Sequence, residues 1–167
     1  MPDRADSLAQ AIGRAFRLHV VEEALPRIRH CVTALTPEQV WRRHGAKGNS
    51  IGNLLLHLEG NVRQWILCGI RGDPDSRQRD AEFAARESRL SPLELVDRLA
   101  TTAIAAAEVV AATPADVMLG TRTFQARFER EVCGAILHVL EHFSGHAYQI
   151  YAWTKQMLGT DLRFWDL

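Results

Sequence analysis

The sequence predicts an all-α domain, an antiparallel four-helix bundle, and three observations predict it. Four long stretches carry apolar residues at helical spacing, three to five apart in the first, the signature of one buried helix face. Stop-and-start signals separate them, among them Thr36-Pro37, Asn49-Ser50, Ser91-Pro92 and Thr113-Pro114. No run alternates strongly enough to specify a convincing sheet. At 167 residues the chain suits one domain, residues 1–167, long enough to bury a core. Amphipathic helices of this length bury their stripes most simply against one another.

The first helix is expected over Ser7 to Leu35, with Leu8, Ile12, Phe16, Val20, Leu25, Ile28 and Val32 on its stripe. Pro26 lies inside it and should kink or split it near Ala24, because proline has no N–H and its ring meets the preceding turn. Thr36 then caps a short piece ending around Arg43, with Pro37 at its first position and Gln39 completing a capping box. His44 to Gly48 reads as loop. Asn49 or Ser50 caps a second long helix, Ile51 to about Ile70, striped by Ile51, Leu54, Leu55, Leu58, Val62, Trp65 and Ile66. Beside that stripe runs a polar edge of Ser50, Asn53, His57, Asn61 and Gln64.

Arg71 to Arg89 is the most polar part of the chain and reads as a solvated connector with one helical turn near Ala81–Arg86. A lid over a site is the sharper alternative. Ser91-Pro92-Leu93-Glu94 starts a third helix that runs to about Ala112, its many alanines permitting close helix contact. Ala115 to Phe128 is expected to be irregular, with MLGTRTFQARF offering a short extended segment. The fourth helix is expected from about Glu129 to Leu158, stopping before Gly159. Phe164 and Trp165 in the tail should fold back on the bundle or cover a partner subunit, since exposing both is costly.

Composition excludes several function classes. Lys plus Arg number 20 and Asp plus Glu number 20, and the basic residues are dispersed, which speaks against nucleic acid and anionic membranes as partners. No apolar run approaches the ~20 residues that cross a bilayer, and the N-terminus lacks an apolar signal core. Cys31, Cys68 and Cys133 are widely separated and form no C-x-x-C, which fits reduced thiols in a cytoplasmic protein, each acting as a small apolar residue.

Chemistry concentrates in EREVCGAILHVLEHFSGHAYQIYAWTKQM, where His138, His142 and His146 are spaced four apart. Four residues make about one helical turn plus 40°, so neighbours in the series can reach one bound ion. Taking Val132, Ala135, Ile136, Val139, Phe143, Ile150, Trp153 and Met157 as the buried face puts His146 near its centre, His142 nearer the edge and His138 towards the polar side. His142 and His146 are therefore the interior pair, with His138 a surface or supporting residue. A catalytic metal usually takes three protein ligands and keeps one position open. His57, the one histidine of the second helix, is the natural third, since bundle sites are built from inward side chains on facing helices. A histidine at the edge of a core stripe is more often simply hydrogen-bonded, and that bland reading stands beside the metal one. HVLEH also matches H-x-x-E-H, with Glu141 as general base, but His138 and Glu141 both point away from the apolar centre. His19, His30 and His44 read as ordinary surface or helix-end residues.

NSIGNLLLHLEGNVRQW followed by HVLEHFSGHAYQI resembles the DinB/YfiT-like superfamily of bacterial four-helix bundles, over nearly the whole chain to Lys155. NVRQWILCGIRGDPDSRQRDAEF is similar to a branch of that superfamily without an assigned function. The resemblance implies a divalent-metal site held by His57, His142 and His146, and often a dimer. Tyr148 stands where the superfamily usually has glycine. Characterised relatives include metal-dependent transferases and isomerases that use small bacterial thiols, although fold and ligands do not transfer a substrate.

The leading functional expectation is therefore a metal-dependent enzyme on small molecules, a thiol-dependent S-transferase or isomerase. Its partner would be a low-molecular-weight thiol, and the protein is expected to be a homodimer. Zinc or nickel is the first expectation for the ion, with manganese or iron compatible with the same ligands. Glu141, Asn61 and Gln149 are candidates to support the ligands or handle protons. The rival is a non-enzymatic metal-binding or stress-response bundle in which the ion is structural. A third reading is an apolar bundle with incidental histidines.

Overall fold

The structure, a computed structural model, describes residues 4–45 and 47–164. It is mostly helical. The first helical run begins with α1 (Arg4–Phe16), widens into an i→i+5 (π) stretch over Arg17–Ala24 and continues as α2 (Leu25–Thr33). The break expected near Ala24 thus takes the form of wider winding just before Pro26, where Leu25 N–H bonds the carbonyl of Val20. In a regular helix the proline ring would meet the carbonyl four residues back, and the wider turn relieves that contact. Thr36 caps α3 (Pro37–Trp41), with its backbone N–H donating to Gln39 Oε1 at 2.8 Å.

The second run is α4 (Ile51–Val62) followed by a π-wound stretch, Arg63–Arg71, that stops at Gly72. Gly72 has φ +93°, a left-handed conformation that side chains disfavour and glycine adopts freely. α5 (Arg79–Ala84) lies in the polar connector. α6 (Pro92–Ala112) starts at the Ser91–Glu94 capping box. Ala103, Ala106 and Ala107 are fully buried, and Gly13 of α1 lets the α6 backbone at Ala111 approach closely.

Residues after α6 differ from expectation. α7 (Ala115–Leu119) is followed by a hairpin of β1 (Thr121–Phe124) and β2 (Phe128–Glu131), paired antiparallel from Thr121–Glu131 to Phe124–Phe128. α8 (Val132–Leu158) therefore begins at Val132 rather than Glu129. Glu129, Arg130 and Glu131 contribute nothing to an apolar helix face, and pairing with β1 satisfies their backbone instead. Phe124 is fully buried on Trp65 and against Gly69, which ties the hairpin to the end of the second run. Phe164 does fold back, its ring 5.0 Å from Tyr151 and 5.7 Å from His30. Trp165 lies outside the described residues.

α4 occupies the centre, packed against α3, α5, α6 and α8. Every residue of α4 except Leu56 is buried, the polar edge included. Those polar groups find partners because the connector folds over them. Asn53 Nδ2 donates to the carbonyls of Glu82 at 2.8 Å and Ala85 at 2.9 Å, while its Oδ1 accepts from the Ser50 backbone N–H at 3.0 Å. Arg43 donates to the carbonyls of Gly48 and Phe83. The segment 71–89 is thus more than a solvated connector: its outer face meets water and its inner face covers α4. No helix among the described residues is long and apolar enough to cross a membrane.

Asn53→Ala should remove the latch between α4 and α5 and leave two part-buried carbonyls without this donor. The expected cost is roughly 2–4 kcal/mol in urea unfolding, with faster tryptic cleavage of 71–89. Unchanged stability and cleavage would show that the latch is not needed.

Candidate metal centre

His57 lies on α4, while His142 and His146 lie on one side of α8, which packs directly on α4. Each of the three offers one ring nitrogen, and these nitrogens all lie within 4.8 Å of one another. Ring centroids are 5.0 Å apart for His57 and His142, 5.2 Å for His57 and His146, and 4.6 Å for His142 and His146. Three imidazoles converging at this distance fit the donor set of a divalent transition metal.

The outer nitrogens determine which inner ones are free. His57 Nδ1 lies 2.9 Å from Glu82 Oε2. A carboxylate can only accept, so Nδ1 carries the hydrogen and Nε2 keeps its lone pair. Arg77 also comes within 3.0 Å of Nδ1, but a guanidinium can only donate, and its hydrogen bonds go to both carboxylate oxygens of Glu82 at 2.7 and 2.8 Å. Gln64 Oε1 accepts from the remaining Arg77 nitrogen at 2.9 Å. His146 Nδ1 is anchored in the same way by Gln149 Oε1 at 3.0 Å. His142 Nε2 stands 2.9 Å from His57 Nε2, so a hydrogen or a cation must lie between two lone pairs.

Burial disfavours the charged forms of His142 and His146. Burial, reinforced by His146, His57 and His138 and by Arg77, pushes His142 down to about 3. Burial also lowers His146, against the opposing bond to Gln149. Burial alone would raise the Glu82 carboxyl, but the hydrogen bonds from Arg77 and His57 outweigh it and hold Glu82 below the usual carboxylate range. An ionised carboxylate thus stands behind His57, the arrangement that raises ligand basicity in metal sites.

Several expectations change at this level. His57 is 3% exposed, more interior than a flank position implies, because α5 covers it and the Phe83 ring lies tilted against it at 4.5 Å. His146 is only half-buried, and the face of α8 centres instead on Val139, Phe143, Ala147 and Ile150. Trp153 and Met157 are only partly buried. His138 is half-buried and lies on Trp65 at 4.6 Å, beside the triad but outside it. Glu141 is exposed and lines a groove of about 550 Å³ along α8 together with His138, His142 and His146. Gln149 hydrogen-bonds His146, whereas Asn61 bonds none of the three. Tyr148 is 56% exposed and borders neither this groove nor the triad. His44 is not an ordinary surface residue: it stacks on Trp153 at 4.1 Å with its Nε2 buried. Glu82 and Arg77 were not foreseen. The available signal was a polar edge on α4 without partners, followed by a strongly charged segment long enough to fold back over it.

Fold and site together define a helical protein of the DinB/YfiT-like superfamily, built around three convergent histidines. The chain belongs to the mycothiol S-transferase family, whose model matches residues 18–151. A crystal structure of a DinB-like protein from Bacillus cereus ATCC 10987 is similar over 84% of this chain and 89% of that one. That match has a TM-score of 0.63 at 13% identity, and it speaks to the fold alone. No curated protein sequence matches the chain.

Glu82→Gln should weaken metal binding about 10–100-fold by leaving the His57 tautomer undetermined, read by competition with a chromogenic chelator. Gly60→Ala should act in the same direction, because its new Cβ would fall 2.2 Å from Glu82 Oε1 and 2.8 Å from Arg77 Nε. Wild-type affinity in both variants would remove the carboxylate from the design of the site.

In chelator the protein should lose stability on acidification. His142 in the fold sits at about 3 against an ordinary 6.5, so the unfolded chain binds the extra proton throughout that window. Stability is full above the ordinary histidine value and falls as pH drops below it. His142→Gln should flatten the dependence in urea titrations at successive pH values; an unchanged slope would assign the effect elsewhere.

Proposed function

We propose that the protein is a metal-dependent S-transferase that joins a low-molecular-weight thiol to a small electrophile. The observation carrying this reading is the convergence of His57, His142 and His146 within 4.8 Å, in a member of the mycothiol S-transferase family. In this reading the three histidines hold one divalent ion, zinc or nickel before manganese or iron. A bound divalent ion would lower the pKa of a thiol or water at its open position and so supply a nucleophile near neutral pH. Glu82 and Gln149 orient two of the ligands, and Arg77 keeps Glu82 ionised.

The nucleophilic sulfur comes from a substrate rather than from the chain. Burial pushes the Cys31 thiol up to about 11, and burial is also the first cause of the raised values of Cys68 and Cys133. None is therefore an activated thiolate. The groove along α8 gives an external thiol access to His142 and His146. The reading also includes a single domain with its four long helical runs as an antiparallel four-helix bundle, a homodimer, and a cytoplasmic setting in which the cysteines stay reduced. Nucleic acid and membrane are not among its partners.

A second reading, in which the ion is structural, draws on the fact that the triad spans α4 and α8. Metal analysis of untagged protein separates the possibilities. About one metal per chain is expected, lost on His57→Ala, His142→Ala or His146→Ala, with thiol transfer to a neutral electrophile that is abolished with it. Metal content unchanged in the variants would overturn the site. Bound metal that raises the melting temperature, with no turnover of any thiol, would favour the structural ion.

A further inference from the structure

A second cavity, of about 240 Å³, also reaches the triad, touching His57 and His142. It lies between the second helical run, α5 and the β1–β2 hairpin. His138 and His142 border both this cavity and the groove along α8, so the triad faces two compartments. A transferase has two reactants to bring together, and the two compartments differ in chemistry.

The smaller cavity has an aromatic wall and a cationic rim. Trp65 and Phe128 stand nearly parallel, at 24° and 6.1 Å between centroids, and offer a flat apolar surface. Three arginines line it and no carboxylate does. Arg77 is neutralised by Glu82, whereas Arg79 and Arg130 have no ion-pair partner among the described residues. Their guanidinium groups rest instead against aromatic rings, Arg79 at 4.9 Å from Phe83 and Arg130 at 5.9 Å from Trp65. Asn61 is 5% exposed and lines the same cavity with its Oδ1 buried and unpartnered. A buried amide oxygen without a partner costs free energy, which a ligand hydroxyl or N–H would recover. The volume falls below the ~300 Å³ at which drug-sized ligand pockets usually begin, so the ligand is small.

We propose that this cavity is the acceptor subsite: it receives a small, flat, unsaturated carboxylic acid bearing a hydrogen-bond donor. The carboxylate meets Arg79 and Arg130, the unsaturated body lies on Trp65 and Phe128, and the donor reaches Asn61. This assignment rests on the thiol-transferase reading and names the second substrate of that site. In the addition it implies, the thiol sulfur forms a bond to the β-carbon while the C=C π bond breaks. The displaced electron pair takes up the thiol proton at the α-carbon, so no further reactant is consumed.

The probe is 4-hydroxycinnamate, compared with its neutral methyl ester by calorimetry on metal-loaded, full-length protein. The acid should bind about tenfold more tightly than the ester and shift the Trp65 indole N–H resonance, assigned by Trp65→Phe. The Arg79→Gln/Arg130→Gln double variant should lose the preference while keeping its metal and its circular dichroism. Equal binding of acid and ester, an unshifted Trp65, or a preference that survives in the folded double variant would overturn the subsite. The comparison on wild-type protein decides the matter even if the double variant does not fold. Thiol consumption by wild-type protein, with 4-hydroxycinnamate and with a neutral aryl chloride, is read separately. If turnover is present without an acid preference, only the acceptor subsite falls; if neither electrophile is turned over, the transferase reading falls and the acceptor role with it.

Discussion

The structure depends on the burial of one polar helix edge. α4 lies at the centre of the molecule, and Ser50, Asn53, His57, Glu59 and Asn61 are buried along with its apolar stripe. An unpaired buried polar group is costly, so each creates a demand that other parts of the chain must meet. The charged connector meets much of that demand with the carbonyls of Glu82 and Ala85 and the carboxylate of Glu82. α6 meets more of it, since Thr102 and Arg98 hydrogen-bond the buried Glu59 together with Arg63. Of these five residues, Asn61 alone has a buried side-chain oxygen without a partner, and it lies beside the histidines.

The same constraint links stability to the site. Glu82 latches α5 through its backbone and fixes the His57 tautomer through its side chain. Gly60 makes the arrangement possible, because any side chain there would occupy the space of the Glu82–Arg77 pair. α8 supplies the other two histidines from its half-buried edge, where they reach His57 and also face open space. A site at the centre of the α8 face would be closed to reactants, and one on its outer face could not reach α4.

Helix existence was legible because apolar period, capping boxes and breaking residues agreed: Ser50, Ser91 and Thr36 cap as their sequence contexts predict. The candidate ligands were legible because two histidines four apart on α8 and one on α4 leave few alternatives that share a point. The hairpin at 121–131 was only half legible, since β2 is stabilised by pairing with β1 and by Phe124 packing on Trp65. Neither contact has a local signature. The π-wound stretch at Arg63–Arg71 likewise has no proline or glycine pair to announce it, unlike the one that precedes Pro26.

By itself, then, the sequence determined the helical class, most helix boundaries and the identity of the three histidines. Each of these follows from interactions within a few residues or from a period along one element. The tertiary structure decided that His57 is deeply buried, that Glu82 and Arg77 stand behind it, and that the triad opens onto two compartments. Those features depend on a connector whose composition reads as solvated, folding back over a helix about twenty-five residues earlier. Nothing in the local pattern of 71–89 marks Glu82 as different from its charged neighbours. The unmet polar groups on α4 select it, and that selection exists only in three dimensions.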